Sequence, residues 1–171
     1  MLNIVIPQNY VMEAMDYANK SKSFTSDRHD FHDGGINNKQ KKMFEGKLGE
    51  KAFKVFLENN QIQYFEDQSS YDSADEYDFY FERTGLKVDV KTRTEDFHIR
   101  TLEMVEQFKN KPKDIYISVK LINNSNAQIL GWFSKEDMLF RNHIENQGYM
   151  DNYVMYDQEL RPIESLMQHL G

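Results

Sequence analysis

A short alternation of apolar and charged residues constrains the fold of this chain more than any other feature. Residues 87–93 alternate Val88 and Val90 with charged residues that include Asp89 and Lys91. Successive side chains of a β-strand point to opposite faces of the sheet. The pattern therefore predicts a strand that buries its two valines and projects an acid and a lysine together from the other face.

A turn centred on Thr84 and Gly85 predicts that this strand forms a hairpin with residues 77–82. Directly opposed side chains of a hairpin lie within about 5–8 Å on one face. The expected pairs are Asp78 with Lys91 and Tyr80 with Asp89. The other face is expected to carry Tyr77, Phe79, Phe81, Val88 and Val90 into the core. The hairpin thus gathers two acids and a lysine at one site.

The remaining pattern predicts an α/β (α+β mixed) fold, with a central mixed sheet flanked by helices. The expected elements are helices at 8–22, 38–58, 102–109, 134 onward and 163–170, and strands at 61–66, 77–82, 87–93, 115–122, 128–133 and 153–156. We expect one domain over residues 1–171. It comprises a core at 38–122, an N-terminal helix and loop at 1–37, and C-terminal strands and helices at 123–171.

Composition excludes several classes of protein. The 171 residues contain no cysteine, which removes disulfides, cysteine-ligated zinc and a thiol nucleophile. No run approaches the ~18 apolar residues of a membrane span, and the N-terminus lacks the pattern of a signal peptide. We therefore expect a cytoplasmic protein without a membrane partner.

Charge is distributed unevenly along the chain, whose formal net charge is −7. Residues 58–89 hold nine acids and two bases, a sum of −7, whereas residues 38–57 hold six lysines and two glutamates, a sum of +4. An acidic segment beside a basic helix fits a metal site next to a phosphate-binding surface. It also fits an ordinary acidic loop beside a solvated helix face.

The predicted helix at 38–58 supplies a further acid. Glu50 lies on the same apolar arc of the helical wheel as Phe53 and Leu57. A carboxylate beside a packed face needs a partner, which a metal ion or Lys91 could supply. The polar stripe next to it consists of Lys47, Lys51, Lys54 and Glu58.

These residues together resemble a known superfamily. Gly46-Lys47-Leu48-Gly49-Glu50 on a helix, followed by Asp78 and then by Asp89-x-Lys91 on a strand, resembles the PD-(D/E)XK nucleases. The resemblance covers residues 38–122 and implies a restriction endonuclease-like core of order α-β-β-β-α-β. The chain departs from the pattern at Tyr77, where the motif has proline. Asp75 is an alternative first acid, although it would lie outside the strand.

The resemblance also implies a mechanism and a cofactor. The implied ligands of Mg²⁺, for which Mn²⁺ can substitute, are Asp78, Asp89, the Val90 carbonyl and Glu50. Lys91 would orient or deprotonate the attacking water. The implied contacts to neighbouring phosphates are Arg93, Lys47, Lys51 and Lys54.

The expected function is hydrolysis of DNA phosphodiester bonds by a restriction-type or phage-defence endonuclease. Because the chain is short, we expect it to act on double-stranded DNA as a homodimer or as a subunit of a larger nuclease assembly. The alternatives are a structure-specific repair or recombination nuclease, and a non-catalytic DNA- or protein-binding module. The segment His29-Asp30-Phe31-His32-Asp33 is a weaker candidate metal site, and Arg141-Asn142-His143 is expected to be a surface helix end.

Overall fold

The computed structural model describes residues 1–25, 36–68 and 76–170. The helices are α1 (Gln8–Thr25), α2 (Ile36–Asn59), α3 (Val105–Asn110), α4 (Lys135–Arg141) and α5 (Met167–Leu170). The strands are β1 (Leu2–Val5), β2 (Phe65–Glu66), β3 (Phe79–Phe81), β4 (Leu86–Arg93), β5 (Arg100–Met104), β6 (Ile115–Asn123), β7 (Asn126–Ser134), β8 (Ile144–Asn146) and β9 (Asp151–Tyr156). Short 3₁₀ helices span Asp157–Glu159 and Ile163–Leu166.

The strands form two sheets. The larger has six strands in the order β1-β7-β6-β4-β3-β2, and the smaller has three in the order β5-β9-β8. Strands β4 and β6 pair in parallel, whereas the other neighbours of the large sheet pair antiparallel. The prediction of a mixed α/β fold with a mixed sheet flanked by helices is therefore confirmed.

One face of the large sheet packs against α1 and α2 through an apolar core. Leu48, Ala52, Phe53 and Phe56 recur at helical spacing on α2 and are all buried. The buried residues from the sheet side include Ile4, Phe79, Phe81, Val88, Ile115, Ile117, Val119, Ile129 and Trp132. Val90 packs against the same core, so the predicted inward face of the hairpin is confirmed at Phe79, Phe81, Val88 and Val90.

Helix α2 crosses β4 at very short range. A Cβ built on Gly49 would lie 1.8 Å from Thr92 Oγ1 and 2.9 Å from Thr92 Cβ. No side chain fits at these distances, so only glycine permits this approach. The crossing fixes the next residue, Glu50, beside the sheet.

The other face of the large sheet is partly covered by the small sheet and by α3 and α4. A second apolar cluster lies there, formed by Tyr116, Phe133, Met138, Tyr153 and Met155. Helix α4 begins with a capping box: Ser134 Oγ accepts a hydrogen bond from Asp137 N at 3.1 Å, and Asp137 Oδ2 accepts one from Ser134 N. The cap sets the direction in which α4 leaves β7.

The local structure differs from the prediction in several places. The expected helix at 102–109 is confirmed only from residue 105, as α3, because residues 100–104 form β5 and pair with β9. Of the expected strand at 61–66, only Phe65–Glu66 pairs with β3. Strands β1 and β8 were not expected. Tyr77 does not join the core; its half-buried ring contacts that of Tyr80.

The predicted register of the hairpin is wrong by two residues. Phe79 pairs with Val88 and Phe81 with Leu86, which places Asp78 beside Asp89 rather than opposite Lys91. The turn is longer than predicted, since residues 82–85 all lie within it. A shift of two keeps every side chain on its predicted face, because the period of a strand is two. The two acids and the lysine therefore still share one face.

None of the helices that the structure describes is long and apolar enough to cross a lipid bilayer.

Candidate functional site

Asp78 is the most buried carboxylate of the predicted hairpin site. It is 9 % exposed, and its Oδ2 accepts a hydrogen bond from Val90 N at 2.7 Å. Burial raises the pKa of Asp78 well above its usual value, and the negative charges of Glu50 and Asp89 raise it further. Three acids thus come together: Glu50 from α2, Asp78 just before β3 and Asp89 from β4.

Lys91 lies between two carboxylates. Its Nζ is 2.8 Å from Asp89 Oδ2 and 2.5 Å from Glu103 Oε2, and it stands 5.9 Å from the centre of the Tyr116 ring. Burial lowers the pKa of Lys91, but Asp89 and Glu103 more than offset it, so the pKa is raised overall. Lys91 is therefore fully protonated at neutral pH and is a fixed positive charge.

Glu103 is a member of the site that sequence reasoning missed. It lies on β5, it is 1 % exposed, and its Oε2 is paired with Lys91 Nζ. Burial raises its pKa, against the opposing effect of Lys91. Its charge is balanced chiefly by the ion pair with Lys91, so the two residues depend on each other.

Glu50 is held by a lysine of its own helix. Lys47 Nζ lies 2.7 Å from Glu50 Oε2 and 4.3 Å from the centre of the Tyr17 ring. Burial opposes protonation of Lys47, but Glu50 raises its pKa by more than burial lowers it. The negative charge of Glu50 is thus already balanced by Lys47 in this structure.

The other predicted phosphate contacts are engaged inside the fold. Lys51 and Lys54 pair with the two oxygens of Glu66 at 2.8 and 2.6 Å, and their side chains are 10 % and 15 % exposed. Arg93 pairs with Asp157, with 2.9 Å between Nη1 and Oδ1. In the described structure these cations balance internal acids, and their contact with phosphates stays a prediction.

A cleft of about 480 Å³ opens beside the acids. Asp78, Asp89 and Tyr77 line one side of it, and Gln107, Asn110, Lys111 and Lys113 complete its lining. Gln107 reaches the cleft from α3. The cleft therefore combines carboxylates with amide and ammonium donors.

The local balance of charge is negative. Four carboxylates (Glu50, Asp78, Asp89 and Glu103) face three lysines that act on them (Lys47, Lys91 and Lys113). With all groups ionised, the sum is −4 + 3 = −1. Asp78 forms no ion pair with any cation among the described residues, so a bound cation would relieve its burial most directly.

The donor chemistry fits a hard divalent cation, although the arrangement is incomplete. Asp78 and Asp89 offer carboxylate oxygens, and Lys91 Nζ lies 2.8 Å from Asp89 Oδ2. Within residues 1–25, 36–68 and 76–170, no group of three or more histidine or acidic side chains stands ready to hold a metal. Two aspartates line the cleft, while Glu50 is paired with Lys47.

Two other predicted features have different outcomes. The histidine segment at 29–33 and the alternative acid Asp75 lie outside the described residues. Arg141 ends α4, and Asn142 caps it in the left-handed conformation with φ of 48°. The prediction of a helix end at Arg141-Asn142-His143 is therefore confirmed.

Comparison of the chain with known family models, curated proteins and solved structures finds no match.

Proposed function

We propose that this chain is a metal-dependent nuclease with a restriction endonuclease-like core of the PD-(D/E)XK type. The observation that carries the proposal is the placement of Asp78, Asp89 and Lys91 on one face of a hairpin, beside a cleft. A helix bearing Gly49-Glu50 packs against the same strand. These positions correspond, residue by residue, to the motif that the sequence resembles.

Each residue of the proposed site has a task. Asp78, Asp89 and the Val90 carbonyl would hold Mg²⁺ or Mn²⁺, and Glu50 would join them after release from Lys47. The bound cation would lower the pKa of a coordinated water and offset negative charge on the phosphate. Lys91 would orient or deprotonate the attacking water from its place beside Asp89.

The lysines of the cleft take the place of the predicted phosphate contacts. Lys111 and Lys113 line the cleft together with the two aspartates. A phosphodiester in the cleft would meet acids that bind the cation and amines that bind its free oxygens. This arrangement replaces the role first expected of Arg93, Lys47, Lys51 and Lys54, whose charges are already balanced.

DNA is the proposed substrate, in a restriction-type or phage-defence setting. A single active site cuts one strand at a time, so cleavage of both strands of a duplex would require a homodimer or a larger assembly. A structure-specific repair nuclease would use the same residues on branched or flapped DNA. Comparing linear duplex, flap, junction and single-stranded substrates distinguishes these roles.

The test is cleavage of fluorescently labelled DNA by the purified full chain with Mg²⁺, Mn²⁺ or EDTA. We expect cleavage only with the metals, and a loss of at least about 100-fold in Asp89→Asn. Asp96→Asn is the matched control, because Asp96 is an exposed aspartate whose partner, Lys120, lies outside the cleft. Cleavage by Asp89→Asn at the wild-type rate would show that the site is assigned wrongly.

A second candidate function is a non-catalytic binding module. It is favoured by the pairing of Lys91 with Glu103 and of Glu50 with Lys47, which leaves no three-acid metal group in the described residues. It predicts no cleavage of any of the four DNA substrates with either metal, by protein whose circular dichroism spectrum and cooperative unfolding show that it is folded.

A further inference from the structure

A row of aromatic side chains leads away from the candidate cleft across the large sheet. Phe65 on β2 pairs with Tyr80 on β3, and Tyr80 pairs with Lys87 on β4. Because directly paired residues point to the same side, these three side chains share a face. Asp78 is two residues from Tyr80, so it belongs to this face as well.

The rings form a continuous series. The centre of the Tyr77 ring lies 5.6 Å from that of Tyr80 at an interplanar angle of 35°, and the Tyr80 ring lies 6.5 Å from Phe65 at 33°. Tyr77 lines the cleft next to Asp78. The series therefore begins at the cleft and ends at β2, the outermost strand of the sheet.

The far end of the series is open to solvent. Phe65 is 54 % exposed, Tyr77 and Tyr80 are half-buried, and the Lys87 side chain is 41 % exposed. Grouped aromatic side chains at a surface mark a binding site more often than isolated ones do. A cation beside them suits a ligand that carries both flat rings and negative charge.

We propose that this row, Tyr77, Tyr80 and Phe65, binds an unpaired nucleic-acid strand and feeds its backbone into the cleft. The inference rests on the proposed nuclease function and narrows its substrate to single-stranded or frayed ends. Aromatic side chains stack on bases of any sequence, because every base has a π face. In a duplex those faces are covered by neighbouring base pairs, so a paired strand cannot use the row.

The spacing of the rings supports the same choice. The centres are 5.6 and 6.5 Å apart, wider than the ~3.4 Å rise between stacked bases of a duplex strand. A strand must therefore be unstacked before its bases can occupy successive rings. Lys87, beside Tyr80, lies 3.7 Å from a carboxylate oxygen of the exposed Glu76 and would exchange that partner for a phosphate of the bound strand.

The test measures binding in EDTA, where no metal-dependent cleavage occurs. Fluorescence anisotropy measures the affinity of the full chain for three labelled ligands: a thymidine oligonucleotide, an abasic oligonucleotide of equal length and a duplex. Loss of one base–aromatic stack weakens binding by about tenfold. We expect that loss for Tyr80→Ala and a larger loss for the abasic strand, which can stack on none of the three rings, with Tyr80→Phe within about twofold of wild type because the ring remains.

Phe140→Ala is the matched control, because Phe140 is an aromatic residue of α4 that is 88 % exposed and lies outside the row and the cleft. The inference is overturned if the abasic strand binds wild type as tightly as thymidine does, or if the duplex binds more tightly. It is also overturned if folded Tyr80→Ala keeps full affinity. Binding of the thymidine oligonucleotide without metal-dependent cleavage would contradict the nuclease proposal alone. Cleavage of duplex DNA without binding of that oligonucleotide would contradict only the present inference.

Discussion

The close crossing of α2 and β4 yields a sharp prediction about two glycines of one helix. Gly49 and Gly46 both lie inside α2, and each costs that helix about 1 kcal/mol relative to alanine. A Cβ on Gly46 would have no atom within 4 Å, whereas a Cβ on Gly49 would meet Thr92. Gly46→Ala should therefore stabilise the fold by about 1 kcal/mol, and Gly49→Ala should not.

The magnitude follows from which atoms collide. Rotation of the Thr92 side chain can move Oγ1 and Cγ2 away, but Thr92 Cβ stays 2.9 Å from the new methyl group. Ordinary contact between carbon atoms requires about 3.5–4.0 Å. The helix or the strand must therefore shift, and overpacking of this kind costs about 1–3 kcal/mol. Because the helix-propensity gain is common to both variants, Gly49→Ala should be about 1–3 kcal/mol less stable than Gly46→Ala.

The assay is urea unfolding of both variants and wild type, followed by circular dichroism at 222 nm. The difference between the two variants is the informative quantity, because it cancels the gain in helix propensity. If Gly49→Ala proves as stable as Gly46→Ala, the described packing of α2 on β4 is incorrect. The inferred position of Glu50 beside Asp78 would then lose its support.

Two further predictions concern buried charge. Lys51 and Lys54 lower the pKa of Glu66, although burial of the carboxylate opposes them. The stability that ionised Glu66 contributes is therefore fully present above its unfolded pKa of about 4.5. It is lost as the pH falls through the lower pKa of the folded state. Glu66→Gln should cost about 2 kcal/mol in urea unfolding at pH 7 and progressively less below pH 4.5, and a cost independent of pH would contradict the pairing. Lys91→Ala should cost about 3 kcal/mol at pH 8, because it leaves the buried Glu103 unpaired; adding Glu103→Gln should recover most of that loss, and no recovery would contradict their coupling.

The parts of the fold that sequence predicted well are those with a strong local period. Alternation in β4 and helical spacing in α2 each extend over many residues, so the patterns are distinctive. Both elements also bury the faces expected of them. The candidate acids Asp78 and Asp89 and the lysine Lys91 follow from these two patterns together with the hairpin between β3 and β4.

The register of the hairpin could not be read from its strands alone, because the turn sets it. Gly85 adopts φ of 72°, and its N–H and that of Thr84 both donate to Phe81 O. A tighter turn would leave the apolar residues of both strands on the same face, so the alternation does not reveal how long the turn is. The longer turn shifts the register by two residues. Asp78 therefore lies opposite Asp89 and not opposite Lys91.

Glu103 escaped prediction for a different physical reason. Its strand, β5, buries Thr101 and Glu103 while it leaves Leu102 and Met104 half-buried. Apolar periodicity cannot identify the buried face of such a strand, because its buried residues are polar. Their burial depends on partners from distant strands, Ser118 and Lys91, which only the tertiary fold supplies.

The polar contact between the two sheets has a consequence for how this chain can evolve. In the apolar core, one aliphatic residue can replace another at small cost when volume is conserved. Between the sheets, by contrast, loss of Lys91 alone leaves Glu103 charged and buried, whereas loss of Glu103 leaves Lys91 paired with Asp89. Descendants of this sequence are thus free to drift on the helix-covered side, while Lys91 can be replaced only together with Glu103 or after it.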